Sequence, residues 1–524
     1  MTQDFPIDRR AIVLSAIFMF LLIILAGAAG VYILSDKGLK QALTFVNFTL
    51  ELEANYPGRL DWNQLLTSAR QAMFEQLDRY SGYVEPVQFE QLDEEMSGSY
   101  SGIGVSVVQH DRGLLIISVR ENSPAAEVGL LSGDIIIEAD GVELAGLTSD
   151  KSTQLLRGRE GTSVKVAVFR PVLKDTLSVD VTRRKVDLLH IPFAGYTPDS
   201  IIYIRVLDFE AGTSHDIEAA LDSLLHKKDM TPKGIILDLR GNPGGLFIES
   251  YHTANLFLEK GQFIVGTDGR SRWKEEKHYS TGHDITGGLP MAVMVDGGSA
   301  SSAEIVSGSL QQLHRAVLVG DTTFGKGLVQ GFTRFPDGSG LRLTISRYYL
   351  AGGVYLNQFD TALNEVGSGL APDYFYRSNE RSLFPRTLEN SLLLQQFANL
   401  HQDEIIEQSE NFELADSWLD RFKAYARDNH FIFTSPETEL AEFMVDLSHF
   451  ESHSRDTRQT TARILDIARK CDMDKFDEYG DYIKRRLRRI AVERKYGTYR
   501  AYADVVVRSR PDIRFAARIL KDER

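Results

Sequence analysis

Four serines crowd a stretch with almost no bulk, G-G-S-A-S-S-A-E-I-V-S-G at residues 297–308. A serine hydroxyl is a weak nucleophile and attacks an acyl carbon only when a base takes its proton. A second reading competes: Ser301 and Glu304 fit the S-x-x-E capping box, and S-S-A-E-I-V-S-G-S-L-Q-Q-L after it reads as a helix. The nucleophilic reading needs a base, an oxyanion hole and a means of holding substrate elsewhere in the chain. No histidine stands in a triad context, and the pattern G-x-S-x-G is absent.

A base is offered by G-D-T-T-F-G-K-G-L-V-Q, residues 320–330. The segment opens like a phosphate-binding loop, but Gly327 stands where magnesium would need Ser or Thr. L-V-Q-G-F-T-R-F also alternates like a strand rather than opening a helix. A lysine serves as base only when neutral, so its reference pKa of about 10.4 must fall through burial away from carboxylates. Lys326 lies between Gly325 and Gly327, with Phe324 and Leu328 as apolar cover. On a strand, Lys326, Leu328 and Gln330 share one face, so Gln330 can orient the amine without charging it. Oxyanion donors are offered by D-L-R-G-N-P-G-G, residues 238–245, a turn free of bulk after the strand G-I-I-L-D-L. The Ser302 amide, at a positive helix end, is a second donor.

The elements that must carry these groups follow from periodicity. Residues 1–10 precede an uncharged apolar run at 11–35, and 36–96 has helical spacing. Glycine-bounded strands fill 97–185. Residues 186–378 alternate apolar strands with helical segments, the pattern of an α/β core. From 379 to 524 the chain is charged and helical. There, K-R-R-L-R-R (484–489) is the solvated side of an amphipathic helix whose apolar side is Ile483, Leu487 and Ile490.

The 524 residues suggest three or four domains, and a net charge of −14 argues against nucleic acid as a partner. The single cysteine, Cys471, excludes an internal disulfide. D-M-D-K-F-D-E at 472–478 fails as a calcium loop, because Phe476 takes a ligand position and no turn glycine follows. The run 11–35 is long enough to span a bilayer, and Arg9 and Arg10 before it place the following chain outside the cytoplasm. An uncleaved single-pass inner-membrane anchor is therefore expected. Cleavage of a signal peptide after Ala26-Gly27-Ala28 is the alternative.

D-L-R-G-N-P-G-G, G-S-A-S-S-A-E-I and F-G-K-G-L-V-Q, in that order, resemble the carboxyl-terminal processing (tail-specific) proteases. L-D-R-Y-S-G-Y, Y-S-G-I-G-V, R-L-T-I-S-R-Y-Y and G-L-A-P-D match as well, so the resemblance covers roughly residues 40–375. It implies an α/β multidomain protein. A crotonase-like Ser-Lys protease core with an inserted PDZ domain would lie between helical N- and C-terminal regions, behind one transmembrane helix. It puts the nucleophile at Ser301, the base at Lys326 and its glutamine at Gln330. The oxyanion turn falls on Gly244 and Gly245, and Glu304 is a supporting acid. In the PDZ domain, Tyr100, Ser101, Gly102, Ile103 and Gly104 would hold a substrate's terminal carboxylate. Arg157 would couple that domain to the core. The substrates implied are proteins or peptides with accessible C-termini, with no metal or other cofactor and with a homo-oligomer or adaptor as further partners. Two departures stand out: the serine and alanine after Ser301 are exchanged relative to the family's S-A-S-A-S-E, and A-G-G-V-Y-L-N-Q at 351–358 replaces a proline-containing loop. Two rivals remain: an inactive PDZ scaffold, and a crotonase-like acyl-transfer or hydratase enzyme.

Overall fold

In the computed structural model the described residues are 37–96, 99–171, 173–187, 189–270, 275–359, 365–409, 413–451 and 454–522. They form two units, one ending at Leu77 and one beginning at Asp78. The first holds helices α1 (Lys37–Asn55) and α2 (Trp62–Phe74). The Asp61 side chain caps α2 by accepting the Gln64 amide. The transmembrane helix expected over 11–35, and the inner-membrane placement drawn from it, is not upheld. Among the described residues no helix is long and apolar enough to cross a membrane. α1, for one, carries Lys40, Glu51 and Glu53 among its apolar residues, and charge has no solvent in a bilayer core. Residues 11–35 themselves lie outside the described ones.

In the second unit, a six-stranded antiparallel sheet folds over Leu114, Ile116, Ile136, Val164, Val166 and Val168. β1 (Ser99–Gly102) pairs with Arg184–Asp187 and leads through Ile103-Gly104 into β2 (Val105–His110). β2 is the edge strand of the six-stranded sheet. Helix α3 (Ser149–Leu156) starts on a Thr148 cap, and Arg183 closes its far end by donating to the Leu155 and Leu156 carbonyls.

The α/β core carries a sheet in the order β3 (Phe193–Tyr196), β4 (Ile202–Arg205), β5 (Ile235–Asp238), β6 (Met291–Val295), β7 (Val317–Gly320), then Tyr374–Phe375. All neighbours run parallel except β3 and β4. The strands are apolar throughout because both faces are covered. Alternate residues Ile204, Leu237, Val293 and Leu318 pack against the helices of the core, including α4 (Ser302–Gln312). The intervening Tyr203, Ile236, Ala292 and Val319 pack on Tyr502, Val506, Ile513, Ala516 and Leu520. The C-terminal region thus supplies one whole layer of the core. A second sheet centres on the hairpin β8 (Leu328–Arg334) and β9 (Gly340–Leu350).

The C-terminal helices include α5 (Leu393–Leu400), α6 (Gly480–Ala501) and α7 (Pro511–Asp522). Ile483, Leu487 and Ile490 are buried, as their spacing suggests. The basic residues beside them are not a solvated face: Lys484 pairs with Asp416, Arg485 with Glu380 and Arg486 with Glu389, while Arg488 is buried against the Asp504 carbonyl. D-M-D-K-F-D-E lies within the helix Arg455–Glu478, where no calcium loop forms.

Candidate active site

Ser301 occupies the sharp turn from β6 into α4, with φ 54° and ψ −117°. A side-chain-bearing residue held at positive φ costs on the order of 1–3 kcal/mol and persists only where its surroundings fix it. Those surroundings are the fully buried Glu304 carboxylate, one turn along the helix. Its Oε2 accepts the Ser301 amide at 2.9 Å and the Lys326 amide at 2.8 Å; its Oε1 accepts the Gly325 amide at 2.7 Å and the Thr323 hydroxyl at 2.6 Å. Four donors use the full acceptor capacity of a carboxylate. Burial raises the Glu304 carboxyl above its ordinary value, and these hydrogen bonds pull the other way.

A second tie is Tyr348 on β9. Its hydroxyl lies 2.5 Å from the Lys326 carbonyl and 3.1 Å from that of Ser301. Burial, with Glu304 nearby, pushes the phenol well above its usual value, so it remains a donor. The Lys326 ammonium nitrogen stands 4.7 Å from the centroid of the Tyr80 ring. The lysine thus lies over Tyr80; Leu328 is buried, and Phe324, expected as apolar cover, is 45% exposed.

A β-bulge between Val329 and Gln330 interrupts the alternation expected there. Gln330 donates to the Thr344 hydroxyl at 2.7 Å, and Thr344 donates to Asp78 at 2.9 Å. The Gln330 Oε1 is buried with no hydrogen-bond partner.

The glycine turn after β5 is laced to the serine turn. Asp296 Oδ1 accepts the amides of Gly241 and Gly298, both at 2.8 Å; Ser299 donates to the Leu239 carbonyl, and Ala300 to that of Asn242. At Gly244, φ is +104°, and a Cβ there would sit 2.8 Å from that of Ser301 and 3.0 Å from the Ser302 nitrogen, so only glycine fits. The Gly244 amide donates to Asn242 Oδ1 at 2.9 Å. Ser302 opens α4, so its amide has no acceptor within the helix. Its hydroxyl donates to the Gly245 carbonyl at 3.0 Å.

Beside the first sheet, Tyr100, Gly102, Ile103 and Gly104 line a cavity of about 1140 Å³ next to β2. The carbonyls of Ile103 and Gly104 accept the Ala125 and Arg120 amides. The Ile103 side chain fills the domain core, and the Ser101 hydroxyl is buried without a partner. Arg157, at the end of α3, stacks 5.2 Å over the Tyr100 ring.

Residues 200–374 match the model of peptidase family S41, and residues 101–182 match that of a PDZ domain. The chain is 32% identical over 317 residues to carboxy-terminal processing protease CtpA of Bacillus subtilis, covering 59% of this chain and 65% of that one. It is 30% identical over 336 residues to the carboxy-terminal-processing protease of Bartonella bacilliformis, covering 64% and 74%. To CtpB of Bacillus subtilis it is 31% identical over 346 residues, covering 65% and 70%. The chain belongs to the carboxy-terminal processing protease family. With that family it joins the serine-type peptidases. The matched stretch spans roughly two thirds of these relatives' own length.

For a protease of this family, the tie between the glycine turn and the C-terminal region is unexpected from sequence. Arg240 bonds Asp238 through Nε at 2.9 Å and Nη2 at 2.5 Å, and bonds Asp512 of α7 through Nη1. Burial works against a charged Asp238, but Arg240, Arg205 and the Tyr203 hydroxyl hold it well below the carboxylate range. Arg510 bonds Asp512 in turn at 3.1 Å through Nε. Of the site groups overlooked in the sequence, Tyr80 and Tyr348 lie in L-D-R-Y-S-G-Y and R-L-T-I-S-R-Y-Y, and Arg240 and Asn242 lie in D-L-R-G-N-P-G-G. The signal was on those motifs; Asp512 carries none.

Proposed function

We propose that this chain is an endopeptidase that cleaves unfolded proteins near their carboxyl termini, with Ser301 as nucleophile and Lys326 as its base. One observation carries the reading: Glu304 and Tyr348 each bond both the Ser301 and the Lys326 segments, so two residues far apart in sequence are held as one unit. Lys326 takes the proton as Ser301 Oγ attacks the scissile carbonyl. The tetrahedral oxyanion forms beside the turn where the Gly245 and Ser302 amides stand, with the positive end of α4 adding to its stabilisation. The Gly244 amide joins them where it exchanges its bond to Asn242 for one to the oxyanion. Collapse passes the proton to the departing amine and leaves an acyl-enzyme on Ser301, which water hydrolyses by the same base. Gln330 positions the lysine amine through its unpartnered Oε1. Glu304 never leaves its four donors and acts as the tie.

Capture is the part of the PDZ domain. An extended tail adds as a strand to the free edge of β2, with its carboxylate at Tyr100–Gly104. Arg157, stacked on Tyr100, relates that loop to the core. The test is to incubate the full chain with an unfolded protein and read the new termini by mass spectrometry. Cuts close to the carboxyl end, absent with Ser301→Ala, are expected. Undiminished cleavage by Ser301→Ala would overturn the reading.

A further inference from the structure

The cavity bordered by the PDZ loop is closed on its other side by the C-terminal region, through Arg489, Glu493, Thr498, Tyr499 and Tyr502. This wall is built rather than incidental. α6 breaks at Gly497, with φ 83° and ψ 171°, a backbone conformation that favours glycine, and this turn lies against the Glu121 side chain of the PDZ domain. A second contact fixes the same orientation: on α5, Gln395 donates to the Ser132 hydroxyl at 2.7 Å and Asn399 to the Ser132 carbonyl at 3.3 Å. Tyr499 is 54% exposed, and its ring packs 5.0 Å from that of Phe193. The Arg489 guanidinium lies 5.1 Å over the Tyr502 ring. The Arg489 Nε is buried with no hydrogen-bond partner; Glu493 Oε2, 3.6 Å away, forms an ion pair with it but is too far for a hydrogen bond. A buried donor left unmade is costly unless a ligand completes it.

We propose that the kinked end of α6, from Arg489 to Tyr502, is the second wall of the capture groove, and that Arg489 takes an acidic side chain of the substrate tail upstream of its terminal carboxylate. This rests on the capture reading above. The tail runs between the β2 edge and Tyr499, and the Arg489 fork reads a carboxylate better than a point charge would. Lysine at this position keeps the charge and loses the fork.

The test uses the full chain carrying Ser301→Ala and fluorescent hexapeptides in which one glutamate, or glutamine in its place, moves through the positions before the terminus. At one position glutamate binds roughly tenfold tighter than glutamine, the size of one charge-assisted hydrogen bond. Arg489→Gln removes that ratio while glutamine peptides bind as before, and Arg489→Lys restores it in part. Because the ratio is taken within each variant, a general loss of fold does not imitate the effect. Tyr499→Ala weakens hexapeptides and leaves tripeptides unchanged. The absence of a glutamate preference at every position, or its survival in Arg489→Gln, overturns the proposal. Equal binding of free and amidated termini fails the capture reading itself, and the wall with it.

Discussion

The serine turn and the capture groove handle their hydrogen bonds in opposite ways. Around Ser301 the main polar groups are engaged within the protein: Glu304 takes four donors, Asp296 two amides, and Tyr348 reaches two carbonyls. In the groove, the Arg489 Nε is buried without a hydrogen-bond partner, as is the Ser101 hydroxyl on the neighbouring β1. Under the proposed function the difference follows from the task. A nucleophile at positive φ must be fixed before substrate arrives, since reorganisation during the reaction would add to the barrier. A capture site needs hydrogen-bonding capacity that only the ligand completes. Gln330 on β8 departs from this pattern, with a buried Oε1 that has no hydrogen-bond partner.

Breaking the tighter region should cost most. In Glu304→Gln the amide group turns an NH₂ against a backbone donor, so at least one buried N–H loses its acceptor. That costs on the order of 2–4 kcal/mol and releases both the serine and the lysine segments. A fall in the thermal midpoint together with a hundredfold or greater loss of kcat is expected. Wild-type values for both would mean that Glu304 holds nothing.

A smaller effect is expected one step out. Asp512→Asn weakens the hold of α7 on Arg240 and leaves Ser301 untouched. The expected outcome is about a tenfold drop in kcat with KM unchanged, partly recovered by Asp512→Glu. A change confined to KM would place Asp512 in substrate binding instead.

How much of this was legible in the sequence divides along the same line. The residues proposed to carry the chemistry lie on short motifs, so Ser301, Lys326 and the glycine turn are proposed from residue type and order. Their long-range supports are not. Nothing local in R-L-T-I-S-R-Y-Y says that Tyr348 spans the Ser301 and Lys326 segments, because that contact exists only once β9 lies beside α4. The C-terminal region reads as amphipathic helices, but which face of which sheet Ile513, Ala516 and Leu520 cover is a tertiary outcome. The basic run 484–489 shows the same limit, since its neutralising acids come from other helices. Hydropathy alone led to a membrane anchor that no described helix provides.

The smallest effect concerns pH, at the border of the two regions. His190 is bonded to Asp208, which also lines the groove. Burial disfavours the charged ring, but the Asp208 hydrogen bond and the negative charges of Asp208, Glu210 and Asp216 together raise the histidine above its ordinary value. The folded state therefore binds this proton more tightly than the unfolded one. The stability it adds is complete below about pH 6.5, the unfolded value, and is lost as pH rises through the higher folded value. The gap in thermal midpoint between wild type and His190→Gln should narrow on going from pH 5.5 to pH 8.5. A gap that widened would reverse the assigned sign.

The account stands most directly on Lys326. Arginine keeps the charge and much of the length but stays protonated and takes no proton from a hydroxyl. The decisive measurement is kcat for Lys326→Arg on an unfolded substrate, beside Ser301→Ala. Both variants folded, with cleavage by Lys326→Arg reduced to nearly the level of Ser301→Ala, is the predicted result. Turnover by Lys326→Arg close to that of the wild type would contradict a lysine base.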